Sequence, residues 1–585
     1  MTTEVTTLDD SGPGSLREAI QIANETGNSI SFSVSGTIIL NKELPKIKAD
    51  NITINGNKNI TIDFNEYKGL KVQGDNVTIA GLSLVNSSSS GLELNSRGSR
   101  VISCSIGIDF LSQVKPNRVG ILIEDGCHNI IGDNPDLDQE YYSNTISNNF
   151  EEGIKVINSH SNQIINNVVE SNKNGIVLIN SHYTKIGGVE FVDKNGTVNN
   201  PTGDKGTIPG VFVRPLFGNL VSLNKESGVL VYASENCQLS GNFIGTDRTG
   251  TVSRGNKHGV IIEKSRLTSL VGCKIWNNPF VYYNVISGND KCGILVQDST
   301  LTTIQGNFIG ISATNAIAVP NSNGVVIGGN STYTTFGGRI PLGNVVAGNC
   351  KNGIVLTDQS SNFISFNTFA GLSAFGPIVS NGENGFLLEE NTTENTIRTN
   401  VISGNLKNGI EIKDDASDIE IICNIIGLDT LGTEVFPNVQ NGILIKGNAK
   451  GISIENDGVP SIIPRNTISG NLENGISIEE NASEIEITGS IIGFDLSATK
   501  PFGHQHHGVF IDKHASHVKI GDITSRNYIT STTSAAIFVE GENNTITGNS
   551  INTNILLERV PDHKQPFVDI SSGNTNLYYG NDDTY

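Results

Sequence analysis

The stretch HQHHGVFIDKHASH, residues 504–517, holds five of the ten histidines of a 585-residue chain. Imidazoles at this density can ligate a metal ion or act as a general base near neutral pH. The pairs whose spacing fits such a role are His504 with His506, as metal ligands, and Asp512 with His514. His504, His506 and His507 precede the apolar stretch 508–512, whereas His514 and His517 follow it. An extended strand rises about 3.3 Å per residue, so the two groups stand about 20 Å apart unless loops fold back, and one ion cannot bind both. Histidines at similar places elsewhere (His128, His160, His182) give the cluster a competing reading as turn residues.

Carboxylates gather after short apolar stretches: Glu389 and Glu390, Asp414 and Asp415, Glu479 and Glu480, and Asp512. Stacked like charges raise carboxyl pKa values, and pairs some 5–10 Å apart serve glycoside hydrolysis or hold Ca²⁺. Glu389, Asp414, Glu479, Asp512 and His514 are therefore the catalytic candidates, with solvated turns as the plainer reading. Aromatic residues are scarce. Tyr141 and Tyr142 share one segment, and the single tryptophan, Trp276, shares another with Phe280, Tyr282 and Tyr283. Aromatic faces on loops can stack on sugar rings, or can plug a loop against the body of the protein.

A repeat must position these groups. SGNLKNGIEI (403–412) returns as SGNLENGISI (469–478), and SGNDKCGILV (287–296) as AGNCKNGIVL (347–356). A landmark glycine followed by a short aliphatic strand recurs from Gly91 and Gly120 to Gly475 and Gly508, with a closest spacing of 22 residues. Short Ile/Val strands at this period, without helical patterning between them, predict a single-stranded parallel β-helix of about 17 turns. Asparagine precedes the landmark at 174, 323, 352, 384, 408, 441 and 474, with histidine at 258 and 507. These positions are expected to use left-handed backbone and to stack as an amide ladder.

Insertions fall into two alternating classes. One follows IGxD or IGxS, as at 106–109, 244–247, 309–312, 426–429 and 492–495; the other covers 133–143, 189–218, 273–283, 339–343, 455–465 and 522–526. Aspartate and serine exchange in the first class, which fits turn capping and not shared acid–base chemistry. The middle residue of the landmark strand is often apolar (Val177, Leu230, Ile261, Leu295, Val326, Val355, Leu387), and alternation turns it outward. Inserted loops or a second subunit, in a homo-oligomer, are expected to cover that stripe. SLREAIQIAN (15–24) places Leu16, Ala19, Ile20 and Ala23 at helical spacing and predicts a capping helix over the first edge. The organisation expected is a cap over 1–50, a β-helix over 51–555, and a second cap with a tail over 556–585.

A net charge of −20 argues against sequence-independent binding to nucleic acid or anionic lipid. There is no run of about 18 apolar residues to span a membrane. Seven scattered cysteines, without a CxxC pair, read as small core residues. The opening MTTEVTTLDDSGPG lacks an apolar leader and reads as a mature N-terminus, which leads us to expect a secreted or surface protein.

SGPGSLREAIQIAN, followed by ISFSVSGTIIL and LPKI, resembles the N-terminal cap of bacterial right-handed parallel β-helix proteins. The N-V-I-S-G-N…N-G-I-x-I turns resemble the repeats of the pectate-lyase-like superfamily, over about residues 7–555. The resemblance implies a protein that works on polysaccharide, since the superfamily includes carbohydrate-binding proteins and sugar hydrolases. Its known catalytic signatures are missing: there is no NTD, DD and GHG set, no DPHE, and GHQ at 503–505 is a fragment. No catalytic residue can be carried over, because one fold hosts many activities. Three functions fit: a β-helix that binds polysaccharide along a loop-walled face, with or without processing it, a lyase or hydrolase with a new acidic or histidine site, and an adhesive or structural rod. No cofactor is indicated beyond Ca²⁺.

Overall fold

The computed structural model describes the chain except residues 133–142, 189, 193–211, 215–217, 275–280, 339–341, 375–376, 457–464, 505, 532–533, 554, 557–567, 571–575 and 583–585. It contains two compact units, Met1–Asp290 and Lys291–Tyr585.

The first unit opens with the strand Thr2–Val5 and the helix Leu16–Thr26. Ser15 caps the helix by accepting the Glu18 N–H, and Gly27, at φ 72°, closes it. Leu16, Ala19, Ile20 and Ala23 are buried as their spacing predicts, and Arg17 is buried with them. Arg17 is satisfied by Asp10 at 2.5 Å and by the Lys42 and Glu43 carbonyls. After the cap each full turn carries three short parallel strands, as in Glu152–Ile157, Gln163–Ile164 and Val168–Glu170. The landmark strand comes first, and its register runs Ile121↔Ile154↔Ile176↔Val229↔Val260 from turn to turn. In the second unit the same column runs Ile294↔Val325↔Ile354↔Phe386↔Ile410↔Ile443↔Ile476↔Val509↔Ile537. All these side chains are buried, so aliphatic columns fill the inside of each unit. No single turn could bury them alone.

The corners are held by asparagine. In the second unit Asn352, Asn384, Asn408, Asn441 and Asn474 each donate from Nδ2 to Oδ1 of the preceding landmark asparagine, at 3.1–3.4 Å. A second ladder, Asn321–Asn349–Asn381–Asn405–Asn438–Asn471, donates the opposite way along the chain at 2.9–3.1 Å. In the first unit Asn117, Asn149, Asn172, Asn224, Asn256 and Asn289 form the same series. All rungs but Asn323 and Asn474 are buried amides, whose loss would leave partners unsatisfied, at about 1–3 kcal/mol.

The left-handed backbone expected at the landmark is not found there, since neither the landmark asparagines nor His507 are among the positive-φ residues. Glycine is needed at the landmark for close approach instead. A Cβ on Gly409 would meet Gly442 O at 2.6 Å, and one on Gly442 would meet Gly475 O at 2.7 Å. Left-handed glycine occurs in IGxD and its AGLS variant, where Gly107, Gly245, Gly310, Gly371, Gly427 and Gly493 have φ between 81° and 94°, and in SGN or AGN, as at Gly404 and Gly470. The two insertion classes leave at different corners: IGxD loops lead into the landmark strand, and the other class separates the second and third strands of a turn.

Candidate functional site

The landmark strands present an outer face. On it, in the first unit, lies a groove of about 170 Å³ lined by Ser89, Ser90, Arg118, Val119, Leu122, Glu151, Lys155 and Ile157. It crosses the strands Ser90–Leu94, Val119–Glu124 and Glu152–Ile157. Glycine brings these turns together, for a Cβ on Gly120 would meet Gly153 O at 2.3 Å. Val119, Leu122 and Ile157 give the groove an apolar side. Arg118 Nε donates to Glu151 Oε1 at 3.0 Å, and Lys155 Nζ lies 3.3 Å from Glu152. Arg118 is well exposed, so its ion pair contributes little to stability and leaves its other N–H groups for a ligand. Sequence reasoning missed these residues. The one available signal was Lys155, a charge at the outward middle position where most turns carry an aliphatic side chain; Arg118 and Glu151 stand two residues before the landmark glycine, where charge recurs (Lys173, Glu226, Lys257, Lys291).

The outer stripe is not bare. Val177, Val355 and Leu387 are buried, and Leu230, Ile261, Leu295 and Val326 are half-buried. Residues of the same row stand in register on adjacent turns, as in Lys155↔Val177↔Leu230↔Ile261.

In the second unit the candidate carboxylates stand along one corner and are engaged there. Glu389 pairs with Lys413 at 2.9 Å, and that hydrogen bond, with the nearby acidic charges, raises the Lys413 pKa. Asp414 Oδ2 accepts the Glu390 N–H, Asp512 Oδ2 accepts the Glu480 N–H, and Glu479 accepts the Ser477 hydroxyl at 2.7 Å.

The histidines separate. His504 is fully buried, with Nε2 3.0 Å from Ile468 O, and burial lowers its pKa to about 4. It takes the place of the next ladder asparagine: Asn438 Nδ2 bonds Ile402 O in the same way. His506 and His514 are exposed. His507 instead stacks on Phe538 at 4.8 Å and on Phe510 at 5.9 Å, and the two phenyl rings stack at 5.8 Å on the outer face. Of the aromatic loop candidates, Tyr141, Tyr142 and Trp276 lie outside the described residues. Tyr282 ends the strand Val281–Tyr282, which pairs antiparallel with Cys273–Lys274, and burial raises the pKa of Tyr283.

Among the described residues no cysteine forms a disulfide, and not all are core residues as expected: Cys104, Cys237 and Cys423 are buried, Cys127 and Cys292 half-buried, and Cys350 exposed. Among the described residues no helix is long and apolar enough to cross a membrane.

Residues 342–492 match the family model described as a right handed beta helix region. The same strand columns and one shared asparagine ladder occupy both units, and the chain is a right-handed parallel β-helix. No curated protein matches it. Among solved structures it is similar to the periplasmic alginate epimerase AlgG, at 12% identity over 80% of this chain and 79% of that one, with a TM-score of 0.29. It is also similar to the Dettilon tailspike protein, at 15% identity over 78% and 63% of the two chains, with a TM-score of 0.34. The mannuronan C-5 epimerase AlgE4 A-module of Azotobacter vinelandii covers 99% of this chain and 100% of its own, at 11% identity and a TM-score of 0.25.

Proposed function

We propose that this protein binds polysaccharide along the outer face of its landmark strands, at the cell surface or outside the cell. The observation that carries this reading is the groove at Arg118, Leu122, Glu151 and Lys155. A sugar ring is apolar on its faces and hydroxylated at its rim, and the groove sets aliphatic side chains beside a guanidinium–carboxylate pair and an ammonium group. Its volume of about 170 Å³ is well under the roughly 300–1,000 Å³ of pockets that enclose small ligands. It therefore suits one ring of a chain lying across the sheet, not an enclosed molecule. Binding is favoured over cleavage because Glu389, Asp414, Glu479 and Asp512 are tied to a lysine, a hydroxyl or backbone N–H groups.

A glycan array probed with the purified chain tests the proposal. A retained oligosaccharide, with binding weakened about tenfold or more in Arg118→Ala and Lys155→Ala at unchanged melting temperature, supports it. Retention of no glycan, or equal binding by both variants, counts against it. Product analysis on any hit, for new reducing ends or unsaturated uronate, decides between binding and turnover.

A further inference from the structure

On the surface of the first unit one thiol and two imidazoles meet. The ligand atoms of Cys127, His128 and His160 all lie within 4.8 Å of one another. Two consecutive turns supply them, with Cys127 in register with His160 and His160 with His182. The backbone at the site is fixed: Cys127 N–H donates to Ser96 O, His128 N–H to His160 O, and His160 N–H to Gly126 O. His128 adopts left-handed backbone at φ 58°, and its ring stands at 85° to that of His160, with centroids 5.6 Å apart. His160 Nδ1 is 3.2 Å from Ser161 Oγ, which leaves Nε2 for an ion. Cys127 is half-buried and both histidines are exposed.

Flanking positions of this row in the first unit carry charge, and further along the row are Thr300, Thr332, Ser361 and Thr393. Arg97 is in register with Cys127, and Glu235 with Arg266, the latter two as an ion pair at 2.7 Å. Cys127, His160 and His182 replace that charge on successive turns, and at the first two of these His128 adds a third donor. We propose that Cys127, His128 and His160 form a site for a divalent transition metal of the zinc class, with the fourth position open to water. Thiolate and imidazole select such ions over Ca²⁺ and Mg²⁺, which take oxygen ligands. Zn–S and Zn–N bonds of about 2.3 and 2.0 Å set tetrahedral ligands roughly 3.3–3.7 Å apart. The ligand atoms, within 4.8 Å of one another, reach that spacing by rotation of the two exposed rings on binding. Binding deprotonates Cys127 and releases that proton to solvent. The ion then ties two successive turns together, independently of any glycan.

The test uses the full chain, stripped with a chelator and titrated with Zn²⁺, and with Co²⁺ as a spectroscopic reporter. The expected result is one ion per chain and a thiolate-to-cobalt charge-transfer band. Cys127→Ser abolishes that band. His128→Gln and His160→Gln each weaken zinc binding by about tenfold or more. His182→Gln leaves binding unchanged, because its Nδ1 already accepts the Glu235 N–H at 3.1 Å and it stands one turn further on. Melting in chelator confirms that each variant is folded. The proposal is overturned if no stoichiometric zinc binds, or if the Cys127→Ser, His160→Gln double variant binds zinc as the parent does.

Discussion

At position 504 an imidazole takes the rung that asparagine holds at 405, 438 and 471. Burial lowers its pKa from 6.5 to about 4. The unfolded chain therefore takes up this proton as pH falls below about 6.5, while the folded chain does so only near 4. Stability from this residue is complete above pH 6.5, declines between 6.5 and 4, and is then flat. The difference amounts to about 3 kcal/mol at roughly 1.4 kcal/mol per pH decade. His504→Asn should remove this acid sensitivity and supply an acceptor for Asn471 Nδ2, which now donates to Ser469 O. Urea melts of both proteins at pH 7 and 4.5 check this: the parent should lose more stability than the variant on acidification, and equal losses would contradict the ladder role. The sequence held the signal in the 33-residue step from Asn438 to Asn471 to His504. The density of histidines drew attention to metal chemistry, and the step in spacing pointed to structure. The site at Cys127, by contrast, was illegible, because Cys127 and His160 meet only through the register of neighbouring turns.

At the scale of the element, the IGxD loop shows how much a substitution pattern can reveal. Exchange of aspartate with serine implied a cap. Asp429 indeed accepts the N–H groups of Leu431, Thr433 and Glu434, Asp495 those of Thr499 and Lys500, and Ser312 that of Ile317. Asp429→Ala should cost about 0.5–2 kcal/mol, since its hydrogen bonds are exposed, and Asp429→Ser should restore a large part of it. Chemical denaturation measures both, and an alanine variant as stable as the parent would remove the cap from the account. The glycines of the repeat were harder to read, because a glycine pattern alone does not distinguish a positive φ from a close backbone approach. At Gly427, φ is 88°; at Gly409 the constraint is the carbonyl of Gly442.

At the scale of the molecule, the repeat made the parallel β-helix legible, because the landmark spacing sets the turn and the aliphatic pattern sets the inside. The proposed binding face was not legible. Outward positions share one periodicity whether they carry Val177 or Lys155, and a groove arises only when Arg118, Leu122 and Glu151 come together from successive turns. The most direct test of the account is a crystal structure of the protein with an oligosaccharide retained on the array. Sugar rings should lie across the strands Ser90–Leu94, Val119–Glu124 and Glu152–Ile157, with hydroxyls on Arg118, Glu151 and Lys155. A glycan seated away from the landmark face, with that groove empty, would contradict it.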